Sequence, residues 1–174
     1  MKFSRWSIME RPEDAFFAPL LDAQGAVAWR EDLRAAGKRV VFTNGCFDVL
    51  HAGHVTYLAW ARSRGDALVV GLNTDDSVRR IKGEKRPLVP FEERARILCA
   101  LRSVDAVVPF AERTPETILD RIRPDVHVKS AQYRPDELPE RDVVLAYGGT
   151  IESAPHVYGI STTDTIARII SRYG

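Results

Sequence analysis

The sequence predicts an α/β fold, a doubly wound parallel sheet with helices on both faces. Short apolar runs without polar alternation recur along the chain, as expected for strands that are buried on both faces of a parallel sheet. Stretches with a helical spacing of apolar residues separate these runs, which is typical of repeated strand–helix–strand units. The length of 174 residues suits one compact domain with a sizeable core.

The individual elements follow a weakly periodic start of the chain. Residues 1–25 are expected to form an N-terminal extension, and residues 26–174 the domain. Apolar runs predict strands over residues 40–43, 67–72, 106–109 and 126–128, and residues 150–153 are a candidate fifth strand. Helical spacing predicts helices over residues 26–36, 53–64, 91–101, 141–147 and 163–171.

Glycine and proline mark where some of the helices begin and end. Gly37 and Gly148 each follow a predicted helix, and we expect each of them to end that helix. Thr114, Pro115 and Glu116 predict one more helix start, because they supply an N-cap, a proline at the first helical position and an acidic first turn.

Composition and charge exclude several classes of protein. Hydrophobic residues make up 45% of the chain and charged residues 28%, and the formal net charge is +1, so no global field favours nucleic acid or an anionic membrane. No apolar run approaches the length of a membrane span and no signal segment is recognisable, so we expect a cytoplasmic protein. The two cysteines, Cys46 and Cys99, are expected to be free thiols.

The loop after the first predicted strand carries the most specific motif. In doubly wound sheets ligands bind beyond the carboxyl ends of the strands, which singles out the loops after Thr43, Leu72, Val128 and Ser153. The first of these loops contains the sequence H-A-G-H at residues 51–54. Neither of the usual glycine-rich phosphate loops occurs in the chain.

This motif predicts phosphate chemistry at the start of a helix. His51 and His54 share one helix face because they are three residues apart, and Gly53 leaves room for a ligand near the backbone. A helix N-terminus favours phosphate, and two imidazoles add donors for charge that develops during phosphoryl transfer. The alternatives are a metal site with Cys46 and Asp48, or a purely structural pair. The metal site is disfavoured because a structural zinc ion needs four ligands at spacings that this loop does not offer.

On these residues the chain resembles the nucleotidyltransferase superfamily, whose signature is H-x-G-H. Seven segments closely resemble the nucleotidyltransferase domain of ADP-heptose synthases: residues 43–58, 69–76, 83–90, 94, 101–108, 128–133 and 161–169. The resemblance covers residues 26–172. It implies a Rossmann-like nucleotidyltransferase fold, transfer of AMP from ATP to heptose 1-phosphate with release of pyrophosphate, Mg²⁺ as cofactor, and a homodimer. In many bacteria this domain is fused to a sugar kinase, so a chain of this length is expected to be the stand-alone form.

The resemblance also implies roles for individual residues. His51, His54 and Lys82 are the expected catalytic residues. The expected nucleotide contacts come from the first loop, the end of the fourth strand and the start of the last helix: Asn44, Gly45, Cys46, Phe47, Gly53, Lys129, Gln132, Ser161, Thr162 and Thr163. The expected contacts to the acceptor phosphate are Lys82, Lys85, Arg86 and Arg94.

Some of these residues have a plain structural interpretation as well. The three cations at residues 82–86 form either a solvated surface turn or a basic flap that Gly83 and Pro87 help to define. Ser161 is an ordinary N-cap residue, and this is compatible with a phosphate contact at the same helix end. Asp48 either holds the backbone of its loop or helps to position Mg²⁺.

The donor base is where the sequence departs from its relatives. Heptose enzymes have K-G-G-D-Y where this chain has K-S-A-Q-Y at residues 129–133, and an amide both donates and accepts hydrogen bonds whereas a carboxylate only accepts. Gln132 thus either retunes base choice or merely faces solvent. ATP is favoured, because the rest of the chain follows the heptose enzymes and His156 replaces an arginine of small cytidylyltransferases. The alternatives are a cytidylyltransferase using CTP and glycerol 3-phosphate or another small phosphate, and a non-catalytic nucleotide-binding module.

Overall fold

The computed structural model describes residues 15–131, 135–155 and 161–174, and it confirms the predicted parallel sheet. The sheet has five strands in the order β3-β2-β1-β4-β5, and every pairing is parallel. The strands are β1 (Val40–Gly45), β2 (Ala67–Asn73), β3 (Ala106–Phe110), β4 (Val126–Ser130) and β5 (Thr150–Ala154). Each begins where the apolar run begins and extends one or two residues beyond the predicted end.

Seven α-helices lie in the described ranges. They are α1 (Ala23–Ala35), α2 (Ala52–Arg62), α3 (Asp75–Lys82), α4 (Phe91–Cys99), α5 (Glu116–Ile122), α6 (Arg141–Ala146) and α7 (Thr162–Tyr173). Gly37 and Gly148 have positive φ angles of 68° and 83° just after α1 and α6, so both glycines end their helices as predicted. The predicted cap at Thr114 is displaced by one residue, since Pro115 is the N-cap of α5 and makes no side-chain cap bond.

The core consists of two layers, one on each face of the sheet. Val41, Leu68 and Val107 pack with side chains of α2 and α4 on one face, whereas Phe42 and Val69 pack with side chains of α1 and α5 on the other. Alternate strand residues point to opposite faces, so strands covered on both sides must be apolar throughout. All seven residues of β2 are buried, which explains why its sequence is apolar up to its last residue, Asn73.

The described part of the N-terminal extension packs on the domain. Leu20 forms an isolated parallel bridge with Val107, and the backbone N–H of Ala18 donates to the carbonyl oxygen of Cys99 at 2.8 Å. Helix α1 begins three residues before its predicted start, because the Asp22 carboxylate accepts a hydrogen bond from the Gly25 N–H at 2.7 Å. Residues 15–25 therefore belong with the domain that they contact, while residues 1–14 lie outside the described residues.

Helix α3 was not predicted, and it changes the setting of the basic segment. The Thr74 side chain caps it by accepting from the Ser77 N–H, its first turn is acidic and its last turn is basic, which suits the helix dipole. Lys82 is thus the last residue of a helix, and only the residues after it form a loop. The polar sequence hid this helix, since Val78 is its one buried apolar residue.

Two further expectations concern the chain as a whole. Cys46 and Cys99 are both unpaired in the structure, which confirms the predicted free thiols. Among the helices of the described ranges, none is both long enough and apolar enough to cross a membrane.

Candidate active site

The site lies where the strand order reverses, between β1 and β4. Such a reversal opens a crevice at the carboxyl ends of the strands, which is the usual ligand position in this kind of sheet. The hydroxyls of Thr43 and Tyr57 lie 2.6 Å apart, and each lies 3.0 Å from the carbonyl oxygen of Val128. Beside them the Lys129 ammonium donates to Asn44 Oδ1 at 3.2 Å. These contacts hold the two central strands together at the crevice.

Glycine and phenylalanine shape the loop that leaves β1. A Cβ atom at Gly45 would lie 3.0 Å from the ring of Phe47, closer than most side-chain contacts allow. Phe47 itself has a φ of 44°, in the left-handed region that is rare for a bulky residue. Its buried ring packs edge-on against His54 with the ring centroids 5.3 Å apart. The loop is therefore supported from the core by an aromatic ring, directly beneath the histidine motif.

The structure brings His51 and His54 together as their spacing predicts. Their rings are stacked, with centroids 3.8 Å apart and planes inclined by 25°. His51 is the N-cap of α2, but its side chain makes no cap hydrogen bond to the helix. Gly53 is buried in the first turn between the two histidines. The imidazoles thus lie at the helix N-terminus without serving to cap it.

Neither histidine is charged at neutral pH in the free protein, and both can form hydrogen bonds to a ligand. Burial lowers the pKa of His51, and burial together with the proximity of His51 lowers the pKa of His54 to about 4. The two rings are therefore neutral at pH 7 in the free protein. The Nδ1 atom of each is buried and has no hydrogen-bond partner within the described residues. Arg30 Nη1, His127 Nδ1 and Tyr147 Oη are also buried without a partner in the described residues, so it is the position of the two histidines at a helix N-terminus that indicates an anionic ligand.

A second helix N-terminus lies beside the first loop. The Thr162 hydroxyl donates to the carbonyl oxygen of Val49 at 3.4 Å, which places the start of α7 next to the segment that leads into α2. Ser161 is the N-cap of α7, as the sequence predicts, and accepts from the Asp164 N–H at 3.0 Å. Thr163 is exposed in the first turn. Two partial positive charges therefore converge on one place, which favours an anionic ligand.

Arg94 lies beneath the site rather than in it, which differs from its expected contact with the acceptor phosphate. The side chain is buried and donates to the carbonyl oxygens of Val89 (2.9 Å), Cys46 (2.6 Å) and Asn73 (3.0 Å). It also forms an ion pair with Asp75 at 2.6 Å. Arg94 thus joins the loops that follow β1 and β2 to the segment that precedes α4, and its guanidinium is engaged with the protein.

Asp48 and Arg86 form an ion pair, which selects one of the two roles left open for Asp48, while the phosphate contact expected of Arg86 stays a prediction. Asp48 is buried, and its Oδ1 accepts from the backbone N–H groups of Leu88 and Val89, each at 2.8 Å. Its Oδ2 pairs with Nε of Arg86. Of the two roles left open for Asp48, the structure supports the holding of loop backbone, since both oxygens are used. Within the described residues no cluster of three or more histidine, cysteine or acidic side chains could hold a metal ion.

Lys82 and Lys85 are the exposed cations of the basic segment. Burial raises the pKa of the Cys46 thiol, and the positive charge of Lys82, more than any other, partly offsets this rise. The ammonium of Lys82 therefore lies within electrostatic reach of the first loop. Gly83 follows with a φ of 94°, which turns the chain away from α3 towards Lys85. Lys82 remains a candidate for contact with bound phosphates.

Glu140 lies near the site, and no role was predicted for it from the sequence. Glu140 is 1% exposed, and its Oε1 lies 2.7 Å from the Lys129 ammonium and 3.0 Å from Nε2 of His127. It precedes α6, and its position after Pro139 is typical of a surface turn. The signal that could have found it is the pairing of a histidine and a lysine two residues apart on an otherwise apolar strand.

Part of the predicted base-binding stretch lies outside the described residues. Gln132 and Tyr133 lie outside the described residues, and so does His156. Ser130 ends β4, and the N–H of Ala131 donates to the carbonyl oxygen of Ala154 at 3.1 Å, which continues the pairing with β5.

Comparison with known proteins gives a consistent result for the family. The cytidylyltransferase-like family model matches residues 42–168. The bifunctional protein HldE of Halorhodospira halophila is 50% identical over 161 residues, which are 92% of this chain and 34% of that protein. HldE of Geobacter sulfurreducens is 56% identical over 141 residues, 81% of this chain and 29% of that protein. The chain thus spans about a third of the length of these curated relatives.

Solved structures share the fold. A lipopolysaccharide core biosynthesis protein from Thermoplasma volcanium matches with a TM-score of 0.59 and 26% identity, over 71% of this chain and 100% of that one. A pantoate-beta-alanine ligase from Francisella tularensis, solved with beta-gamma ATP and beta-alanine, matches with a TM-score of 0.61 over 90% of this chain and 77% of that one. Its identity of 11% shows a common fold only. The doubly wound sheet, the H-A-G-H helix start and the match over residues 42–168 together show that the chain belongs to the cytidylyltransferase-like family.

Proposed function

We propose that this chain transfers AMP from ATP to the phosphate of heptose 1-phosphate, releasing pyrophosphate and giving an ADP-sugar. The observation that carries the proposal is the stacked, neutral pair His51 and His54 at the start of α2, beside the crevice. The identity of 50–56% to the bifunctional HldE proteins supports it, as does the resemblance to the ADP-heptose synthase domain.

The reaction requires no nucleophilic side chain. A phosphate oxygen of the acceptor attacks the α-phosphorus, and the bond between that phosphorus and the bridging oxygen breaks, so that its electron pair leaves with pyrophosphate. Catalysis then consists of alignment and stabilisation of charge. His51 and His54 supply N–H donors to the α-phosphoryl oxygens. An anion beside the rings favours their protonation, so each becomes a stronger donor once the nucleotide is bound.

The other residues bind and arrange the substrates. The start of α7, with Ser161, Thr162 and Thr163, holds the β- and γ-phosphates, and Lys82 bridges the triphosphate and the acceptor. Arg94 and Asp48 act indirectly, because they hold the loops that carry the substrate contacts.

Magnesium enters this scheme as part of the substrate. Triphosphates carry Mg²⁺ on their own oxygens, and the ion keeps several waters, so it needs few protein ligands. The acidic side chains nearest the loops do not fit a protein-held ion, since Asp48 is saturated by backbone N–H groups and Arg86, and Asp75 pairs with Arg94. The homodimer implied by the resemblance stays a prediction, to be measured by light scattering.

A second candidate is a cytidylyltransferase that uses CTP and glycerol 3-phosphate or another small phosphate. The match to the cytidylyltransferase-like family model favours it, as does Gln132 in place of the aspartate of heptose enzymes.

A substrate panel tests the proposal. Pyrophosphate release is measured with ATP, CTP, GTP and UTP against heptose 1-phosphate, glycerol 3-phosphate and phosphocholine. We expect turnover with ATP and heptose 1-phosphate. Turnover confined to CTP would select the cytidylyltransferase. Nucleotide binding without pyrophosphate release from any pair would select a non-catalytic module.

A further inference from the structure

Glu140 is a buried carboxylate that does not serve its own helix. It is the N-cap residue of α6, where an acidic side chain commonly accepts from the first N–H groups, but it makes no cap hydrogen bond. Its Oε1 instead accepts from Lys129 Nζ at 2.7 Å, and it lies 3.0 Å from Nε2 of His127. A carboxylate that is 1% exposed is costly unless it is paired, so these contacts explain why it can be charged there.

His127 and Lys129 meet Glu140 because of the strand geometry. They are two residues apart on β4, so both side chains point to the same face of the sheet, where Glu140 arrives from the segment that precedes α6. His127 is fully buried against Phe42, with ring centroids 5.6 Å apart, so core packing holds its ring in place. Lys129 is only 13% exposed and lies at the carboxyl end of the strand.

The charges of the three groups balance. Burial lowers the pKa of His127, so its imidazole is neutral and donates Nε2–H to the carboxylate. Burial raises the pKa of Glu140, but the hydrogen bond from His127 and the charge of Lys129 outweigh this effect and hold the pKa at about 2. One negative carboxylate thus faces one positive ammonium, and the neutral histidine fixes the orientation of the carboxylate.

Lys129 connects the cluster of Glu140 and His127 to the crevice. Its ammonium also donates to Asn44 Oδ1 at 3.2 Å, across the gap between β4 and β1 where the strand order reverses. We infer that Glu140 is a positioning residue that holds the Lys129 ammonium at the nucleotide crevice, and this inference rests on the proposed function. A lysine side chain has four rotatable bonds. A fixed carboxylate that pairs with its ammonium removes most of this conformational freedom before a substrate arrives.

Binding of ATP, measured by calorimetry without an acceptor, tests the inference. Glu140→Gln keeps the size of the side chain and removes its charge, and we expect it to weaken ATP binding about tenfold, within the range found for coupled neighbours. Lys129→Met should weaken binding by a similar factor. In the double variant the two effects should not add, because Glu140 acts only through Lys129. Glu140→Asp keeps the charge and should lose less than Glu140→Gln.

A partly buried ion pair provides the control, in which the arginine is buried and the Asp125 side chain is 38% exposed. Arg30 is buried and pairs with Asp125 at 2.9 Å, and Asp125 also accepts from the N–H of Val40 at the amino end of β1, away from the crevice. Asp125→Asn should therefore lower the melting temperature and leave the Kd for ATP unchanged. This separates loss of positioning from general loss of stability.

The outcomes distinguish this inference from the proposed function. If the wild-type protein binds neither ATP nor CTP, the proposed function fails and the inference with it. If the wild type binds ATP and Glu140→Gln binds it equally well, or if the effects of Glu140→Gln and Lys129→Met add, the inference alone is overturned. Should Glu140→Gln not fold, Lys129→Met still decides, since normal ATP binding by that folded variant contradicts a role for Lys129 at the crevice.

Discussion

Removal of the His54 imidazole should separate activity from stability. In His54→Ala the protein loses a donor to the α-phosphoryl group, and such a loss lowers kcat about 10²–10³-fold in comparable sites. The remaining His51 cannot substitute for it, because the two rings are stacked 3.8 Å apart and reach different positions. We therefore expect turnover to fall at least about a hundredfold.

Stability should change little in the same variant, for a reason visible in the structure. Loss of the partly buried ring removes packing against Phe47 and His51 that contributes about 1–2 kcal/mol. The ring also carries a buried Nδ1 without a partner within the described residues, and such an atom costs about 1–3 kcal/mol. The two effects have opposite signs, so the melting temperature should stay within about 4 °C of the wild type.

The assay is pyrophosphate release at saturating ATP and acceptor, combined with thermal unfolding of the same samples. Val55→Ala is the control, because Val55 is the next residue of α2, 42% exposed and not part of the site. It should leave kcat unchanged. Near-normal turnover by a folded His54→Ala protein would refute the role of the histidine pair. A large loss of stability would show that the lost ring packing outweighs the relief of the unpartnered Nδ1.

Three further predictions concern the loops and pH. Lys82→Ala should lower kcat/KM for the acceptor more than Lys85→Ala does, and equal, negligible effects in steady-state kinetics would make the segment a surface feature only. Arg94→Met should lower the free energy of unfolding in urea by about 3–5 kcal/mol, because it leaves Asp75 and three carbonyl oxygens without their buried partner. Normal stability with a raised KM for the acceptor would instead indicate that Arg94 binds the acceptor phosphate. Burial lowers the pKa of His54 from 6.5 to about 4, so the unfolded chain binds more protons between these values, and stability should fall as pH drops from 6.5 towards 4. The dependence of stability on pH should be weaker in His54→Ala. Identical profiles of stability against pH for the variant and the wild type would contradict this role of His54.

The elements of the sheet could be predicted because their signal is local. A strand covered on both faces is apolar at most positions, and β1, β2 and β3 show this directly in the sequence, whereas β5 is largely exposed and carries a weaker signal. Helix α3 could not be found in this way. It is held by its cap at Thr74, by charges that suit the helix dipole and by the burial of Val78, so it lacks the apolar periodicity on which the prediction of a helix depends.

The parts of the candidate site that depend on neighbouring residues were also predictable. The shared face of His51 and His54 depends on a spacing of three residues, and the capping by Ser161 depends on the helix that follows it, so both were predictable. The base-binding role of Gln132 stays a prediction, since that residue lies outside the described ranges.

The partners of the charged residues were decided by the tertiary structure alone. Asp48 and Arg86 are 38 residues apart in the sequence, and Arg94 and Cys46 are 48 residues apart, yet each pair is in contact. A basic residue that the sequence suggests as a phosphate ligand can therefore equally serve to connect two loops. Sequence by itself determined the α/β class, the histidine motif and the end of the sheet where ligands bind, because those follow from neighbouring residues and strand direction. Which cations face the crevice and which turn inward depends on contacts between distant segments, and these exist only once the sheet has brought its loops together.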